Sequence, residues 1–269
     1  MSRYTTLIPF DALRADMLII DVSFDLADTA AGERAYAAGH MPGAHYLHLD
    51  RDLSGAKTGT NGRHPLPDRA TFAERMRSLG LSKQTQVVAY DAQGSMYAAR
   101  LWWMLRWIGH SAVAVLDGGK QGPLGTDAPQ AVPGDFEIGQ ALTPMFDAAA
   151  LLGHLGRVRL IDARAPERFR GEVEPLDSQA GHIPGAANRL FKSNLQDDGR
   201  FKSAERLRAE FAPLLAPHGA AGTVHSCGSG VTACHNLLAM EHAGLSGSAL
   251  YPGSWSEWSS DPARPVAKG

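Results

Sequence analysis

The feature that most constrains this chain is that it repeats itself once. Gly39-His40-Met41-Pro42-Gly43-Ala44 returns as Gly181-His182-Ile183-Pro184-Gly185-Ala186, an offset of about 140 residues. The apolar run Met17-Leu18-Ile19-Ile20-Asp21 has its counterpart, at the same offset, in Val158-Arg159-Leu160-Ile161-Asp162. Both runs read as buried strands of a parallel sheet ending in an acid. Gln86 to Asp91, followed by a helical stretch from Ala98 to Ile108, parallels Thr223 to Cys227, followed by Thr232 to Ala243. Each half closes on a short strand and a glycine turn, at Ala112–Gly119 and at Ser248–Gly253. Strands alternating with helices in both halves predict two α/β domains, each a mainly parallel sheet flanked by helices. The expected limits are 1–120 for the first domain, 121–144 for a linker rich in glycine, proline and alanine, and 145–269 for the second. The second domain should open with a helix near Asp147, with Ala150, Leu151 and Leu155 on its apolar face and Gly156 near its end.

Composition narrows the function. Hydrophobic residues at 44% and charged residues at 20% fit a soluble chain with a packed core, and a formal charge of −2 offers no global basic excess for nucleic acid or an anionic membrane. Leu7-Ile8-Pro9-Phe10 is too short for a signal-peptide core, and no run approaches the roughly 18 residues of a membrane span. A cytoplasmic protein is expected. Its two cysteines, Cys227 and Cys234, lie seven positions apart on one strand-loop-helix unit, which argues for a lone reactive thiol rather than a disulfide framework. No Cys/His spacing suggests zinc, and no metal or organic cofactor is expected.

Cys227 follows a strand and precedes Gly228-Ser229-Gly230-Val231-Thr232, after which helix formers take over. The carboxyl end of a parallel strand is where open α/β sheets bind ligands. Two glycines in so short a loop let Gly228, Gly230, Val231 and Thr232 turn successive N–H groups inward at a helix N-terminus, a cradle that would favour an anionic sulfur and hold a persulfide. The plainer reading, a buried strand-end cysteine beside a turn, is open on the residues alone. Cys234 reads as a buried structural residue. A cysteine phosphatase would need an arginine six residues after the cysteine, and that position is Ala233.

The segment Cys227-Gly228-Ser229-Gly230-Val231-Thr232-Ala233 resembles the active-site loop of the rhodanese superfamily, in the form typical of 3-mercaptopyruvate sulfurtransferases. The paired Gly-His-Met/Ile-Pro-Gly-Ala motifs, Asp162-Ala163-Arg164 and Ser254-Trp255-Ser256-Glu257-Trp258 resemble the same family, so that the likeness covers the whole chain. It implies two tandem rhodanese-like domains, the first silent because Asp91 stands where the second has Cys227, and a carboxylate cannot carry a persulfide. It implies further that Arg168 binds the anionic donor, as a planar guanidinium suits a carboxylate, and that Asp162 braces the loop through backbone N–H groups. Asp52 and His64 match an aspartate and a histidine thought to act with the loop serine, here Ser229. A loop histidine and a catalytic one are both open for His64, as are a bracing and a proton-relaying role for Ser229. Arg63 is an extra candidate contact for the donor. The chain departs from the mercaptopyruvate pattern at Glu172–Asp177, where a second donor arginine is missing. A thiosulfate-type loop, in turn, would carry an arginine and a lysine that are absent here.

The implied reaction is transfer of sulfur from 3-mercaptopyruvate, or alternatively thiosulfate, through a Cys227 persulfide to thioredoxin, a small thiol or cyanide. A reading of another class is a non-catalytic sulfur-relay or binding module. His40 and His182 are expected as structural hydrogen-bonding residues, Trp102, Trp103 and Trp107 as core, and Trp255 and Trp258 at the border of the site.

Overall fold

The computed structural model describes residues 3–127 and 129–269, so Met1, Ser2 and Ala128, which fall in the expected first domain and linker, lie outside the described residues. The chain forms two compact units. Unit 1 comprises Met1–Gly55, Leu66–Leu142 and Leu195–Phe201, and unit 2 comprises Ala56–Pro65, Thr143–Asn194 and Lys202–Gly269.

In unit 1 the elements are β1 (Leu7–Ile8), β2 (Leu18–Asp21), α1 (Ala31–Ala38), β3 (His45–Tyr46), α2 (Leu49–Asp52), α3 (Arg69–Ser78), β4 (Val87–Tyr90), α4 (Met96–Trp107) and β5 (Val113–Leu116). The five strands pair in parallel in the order β1-β5-β4-β2-β3. Unit 2 holds α5 (Ala148–His154), β6 (Arg159–Asp162), α6 (Pro166–Phe169), β7 (Ala186–Asn188), α7 (Ala204–Leu215), β8 (Thr223–Ser226), α8 (Ala233–His242), β9 (Ala249–Leu250) and α9 (Ser254–Trp258). Its sheet runs β7-β6-β8-β9, again parallel. The duplication therefore extends to topology and register: Asp21 lies opposite Tyr90 in one sheet, and Asp162 lies opposite Ser226 in the other.

Local chemistry explains the element ends. The Asp68 side chain accepts the N–H groups of Ala70 and Thr71 at the start of α3, and Asp147 accepts that of Ala150 at the start of α5. The buried face of α5 is Ala148 and Leu151 rather than Ala150, which is exposed, because the helix begins at Ala148 and ends before Leu155. The repeated histidines perform one job twice. His40 stacks on Tyr36 at 3.9 Å and bonds the Tyr36 carbonyl, while His182 stacks on Phe169 at 3.8 Å and bonds the Phe169 carbonyl. Trp102 and Trp103 fill the core of unit 1, and Trp255 and Trp258 are buried in that of unit 2.

The stretch expected as a linker is grouped with unit 1 as far as Leu142. Its backbone finds partners there: Gly134 and Phe136 donate to Arg77 and Leu81, and Gly139 and Leu142 donate to Ile108 and Arg106. Phe136 is buried edge-on against His110. Lack of periodicity in this stretch thus reflects extended chain satisfied by neighbouring carbonyls.

Candidate active site

In unit 2, β8 lies between β6 and β9 and delivers Cys227 at its carboxyl end, buried to 2% exposure. The Cys227 Sγ accepts the Gly230 N–H at 3.1 Å. Gly230 has φ of +76°, and a Cβ there would collide with the Pro252 carbonyl, so glycine is required on both counts. The N–H groups of Ser229, Val231 and Ala233 find no acceptor among the described residues. Val231 is buried, and half-buried Thr232 precedes α8 without a side-chain cap. The loop thus carries N–H donors beyond the one that Cys227 Sγ takes.

The loop is braced from α9. Ser254 Oγ accepts the Cys227 N–H at 3.0 Å and donates to the Tyr251 carbonyl. The Trp255 N–H donates to the Cys227 carbonyl, and that of Ser256 to the Gly228 carbonyl. Ser254 is buried with φ of 53°, a left-handed conformation rare outside glycine. Cys234 is buried and donates its thiol hydrogen to the Gly230 carbonyl at 3.3 Å, as suits a structural residue.

Asp162 does not brace the cysteine loop as expected. Its carboxylate accepts the Arg164 N–H at 2.9 Å and pairs with the Arg164 guanidinium at 2.7 Å. Arg164 follows Asp162 by two residues and turns back over its carboxylate, so that both carboxylate oxygens are taken by Arg164. Arg164 also bonds Glu174 and the Gly181 carbonyl and lies over the Trp255 ring at 4.9 Å. Burial opposes its charge, but the Asp162 carboxylate, with Glu174 and Cys227, outweighs burial and holds the guanidinium above its ordinary value. The link from Asp162 to Cys227 is therefore indirect, through Arg164 and Trp255.

Two further guanidiniums meet beside the residue after Cys227. Arg168, on α6, gives Nη2 to Glu174 at 2.6 Å and to Asp177 at 3.4 Å. Arg63 pairs with the other oxygen of Asp177. A Cβ placed on Gly228 would lie 2.8 Å from Arg63 Nη2 and 3.6 Å from Arg168 Nη1, so both cations lie over the residue after Cys227, and Gly228 keeps that approach open. The Arg168 Nε is buried without a partner. Beside them, His64 Nδ1 and Ser229 Oγ are 2.7 Å apart and both residues are buried.

Asp52 belongs to unit 1. There its Oδ2 accepts the His48 N–H at 2.7 Å and its Oδ1 accepts from Arg75 Nε at 2.8 Å, while the His48 ring accepts the N–H groups of Asp50 and Arg51. This is a reciprocal cap of α2.

Residues 10–122 and 147–261 match the Rhodanese-like domain family. The chain belongs to the rhodanese family. A Pseudomonas aeruginosa protein, a probable 3-mercaptopyruvate sulfurtransferase, is 47% identical over 264 residues, spanning 94% of this chain and 93% of its own length. A Mycobacterium tuberculosis protein, the putative thiosulfate sulfurtransferase SseB, is 41% identical over 266 residues, spanning 93% of this chain and 90% of its own. Among solved structures, the 3-mercaptopyruvate sulfurtransferase from Leishmania major superposes with a TM-score of 0.82 at 29% identity, over 95% of this chain and 74% of that one. Within this rhodanese chain, Ser254, Arg164, Glu174 and Asp177 are the site neighbours that sequence reasoning passed over. Only the Asp162-Ala163-Arg164 and Ser254-Trp255 motifs carried a signal for any of them.

Proposed function

We propose that this rhodanese-family sulfurtransferase moves sulfane sulfur from 3-mercaptopyruvate, through a persulfide on Cys227, to a thiol acceptor. The observation that carries the reading is the Cys227 Sγ set in a loop of N–H donors with Arg63 and Arg168 over Gly228. The Cys227 thiolate attacks the sulfur of the donor while the two guanidiniums hold its carboxylate. The carbon–sulfur bond breaks, its electron pair leaves on the pyruvate enolate, and the sulfur stays on Cys227 as the outer atom of a persulfide. The Ser229–His64 pair, at hydrogen-bond distance, supplies the proton that turns the enolate into pyruvate. The inward N–H groups stabilise the persulfide anion. A thiolate from thioredoxin or a small thiol, or cyanide in an assay, then attacks the outer sulfur and frees Cys227. Two unpaired cysteines suit a reducing, cytoplasmic setting. No helix among the described residues is long and apolar enough to cross a membrane.

The test is thiocyanate formation by wild type and Cys227→Ser with 3-mercaptopyruvate and thiosulfate as donors. Turnover with 3-mercaptopyruvate, a 32-Da persulfide adduct on the enzyme and an inactive variant are expected. Thiosulfate turnover alone would keep the persulfide and overturn the donor, and turnover on neither donor would favour a relay module.

A further inference from the structure

The two arginines over Gly228 do not face the donor as free cations. Asp177 lies between them with its side chain only 3% exposed, one oxygen on Arg63 and the other on Arg168. Glu174, equally buried, takes Arg168 from the other side and pairs at the same time with Arg164, which also holds Asp162. Three guanidiniums are thus matched by three carboxylates around one thiol. Buried carboxylates this close to the anion-binding groups cost donor affinity by like-charge repulsion, and the cost grows with the charge of the donor.

We infer that Asp177 is a specificity-determining residue: it cancels enough of the charge of Arg63 and Arg168 that the site takes a singly charged carboxylate and rejects a dianion. The inference rests on the sulfurtransferase reading above and adds to it the reason for donor choice. Asp177 also fixes geometry. One nitrogen of each guanidinium is tied to its carboxylate, which leaves Arg63 Nη2 and Arg168 Nη1 nearest Gly228 and therefore aimed at the position of a bound carboxylate. Arg63 belongs to a segment, residues 56–65, that carries no regular element in unit 2, so the Asp177 pair is what places its guanidinium there. The missing second arginine of the Glu172–Asp177 segment is thereby replaced in space by Arg63, with an acid in the same segment holding it.

The test is Asp177→Asn, which keeps an oxygen acceptor for the arginines and removes one negative charge. The ratio of kcat/KM for thiosulfate over 3-mercaptopyruvate should rise roughly tenfold, since a dianion gains about twice what a monoanion gains from removing a nearby charge. A folded, active Asp177→Asn enzyme with an unchanged or lowered ratio overturns the inference while leaving the reaction intact. Loss of both turnovers in the wild type would instead strike the functional reading. In that event, binding of sulfate and of pyruvate to Cys227→Ser, with and without Asp177→Asn, reads the charge effect alone. Should Asp177→Asn not fold, Glu174→Gln must shift the ratio the same way. Wild-type enzyme inhibited more strongly by sulfate than by pyruvate also overturns the inference.

Discussion

The loops after β4 and β8 hold equivalent places in the two units and have opposite contents. In unit 1 the Asp91 carboxylate, fully buried, accepts four N–H groups: those of Gln93 and Ser95 on Oδ1, and those of Tyr97 and Ala98 on Oδ2. In unit 2 the corresponding Ser229, Val231 and Ala233 N–H groups have no acceptor among the described residues, and Cys227 Sγ takes only the Gly230 N–H. Burial pushes the Asp91 carboxyl up, and the four N–H donors pull against that shift. The first unit lacks more than a thiol: its cradle of N–H groups is filled by its own side chain. Around it, Ser23 stands where unit 2 has Arg164, and residues 22–31 contain no arginine to match Arg168. One fold thus closes the ring of N–H groups on a side chain in one copy and leaves donors unfilled in the other.

That contrast can be broken most severely by moving the thiol. An Asp91→Cys, Cys227→Ser double variant should form no persulfide and no thiocyanate, because unit 1 lacks the guanidinium pair; detectable turnover would show that a thiol in the cradle suffices. Next in size, Asp91→Ala leaves four buried donors without an acceptor and should destabilise the protein by about 3–5 kcal/mol in denaturant unfolding. The matching Cys227→Ala change, which strands one donor, should cost about 1 kcal/mol. Equal losses would mean that Asp91 is no brace.

Smaller effects sharpen the picture within unit 2. Ser254→Gly tolerates the left-handed backbone and removes the side chain whose hydroxyl receives the Cys227 N–H; kcat should fall roughly tenfold with KM unchanged, whereas a rise in KM alone would argue against a positioning role. The last effect concerns pH. His225, on β8 two residues before Cys227, is buried and pushed down to about 3 by burial, with Arg189 adding to the shift. Its unfolded form binds a proton below about 6.5 while the folded form does not, so this stability is present above that pH and is lost as pH falls from 6.5 toward 3. Thermal unfolding across that window should show the loss, and His225→Leu should flatten it.

How much of this was legible beforehand depends on sequence distance. The cysteine loop is contiguous: its glycines, its following helix and its position after an apolar strand are all read from neighbouring residues, and the duplicated motifs expose the two-domain plan. Arg168 was legible through its motif. The partnership of Arg63 with Asp177 was not, because 114 positions separate them and neither a turn nor a periodicity relates them. The bracing role of Asp162 came from resemblance, and its carboxylate is taken instead by the guanidinium two residues on. Asp52 looked catalytic by alignment, and in unit 1 it closes a helix cap.

The sequence by itself determined the duplication, the parallel α/β plan and the strand-loop-helix setting of Cys227, because periodicity and short motifs are encoded in adjacent residues. Tertiary structure alone decided which charges meet at the thiol, that Ser254 receives the Cys227 N–H, and that Asp91 fills its own cradle. Ion pairs and hydrogen bonds depend on distances of about 3 Å, and only the folded chain sets those between residues far apart in sequence.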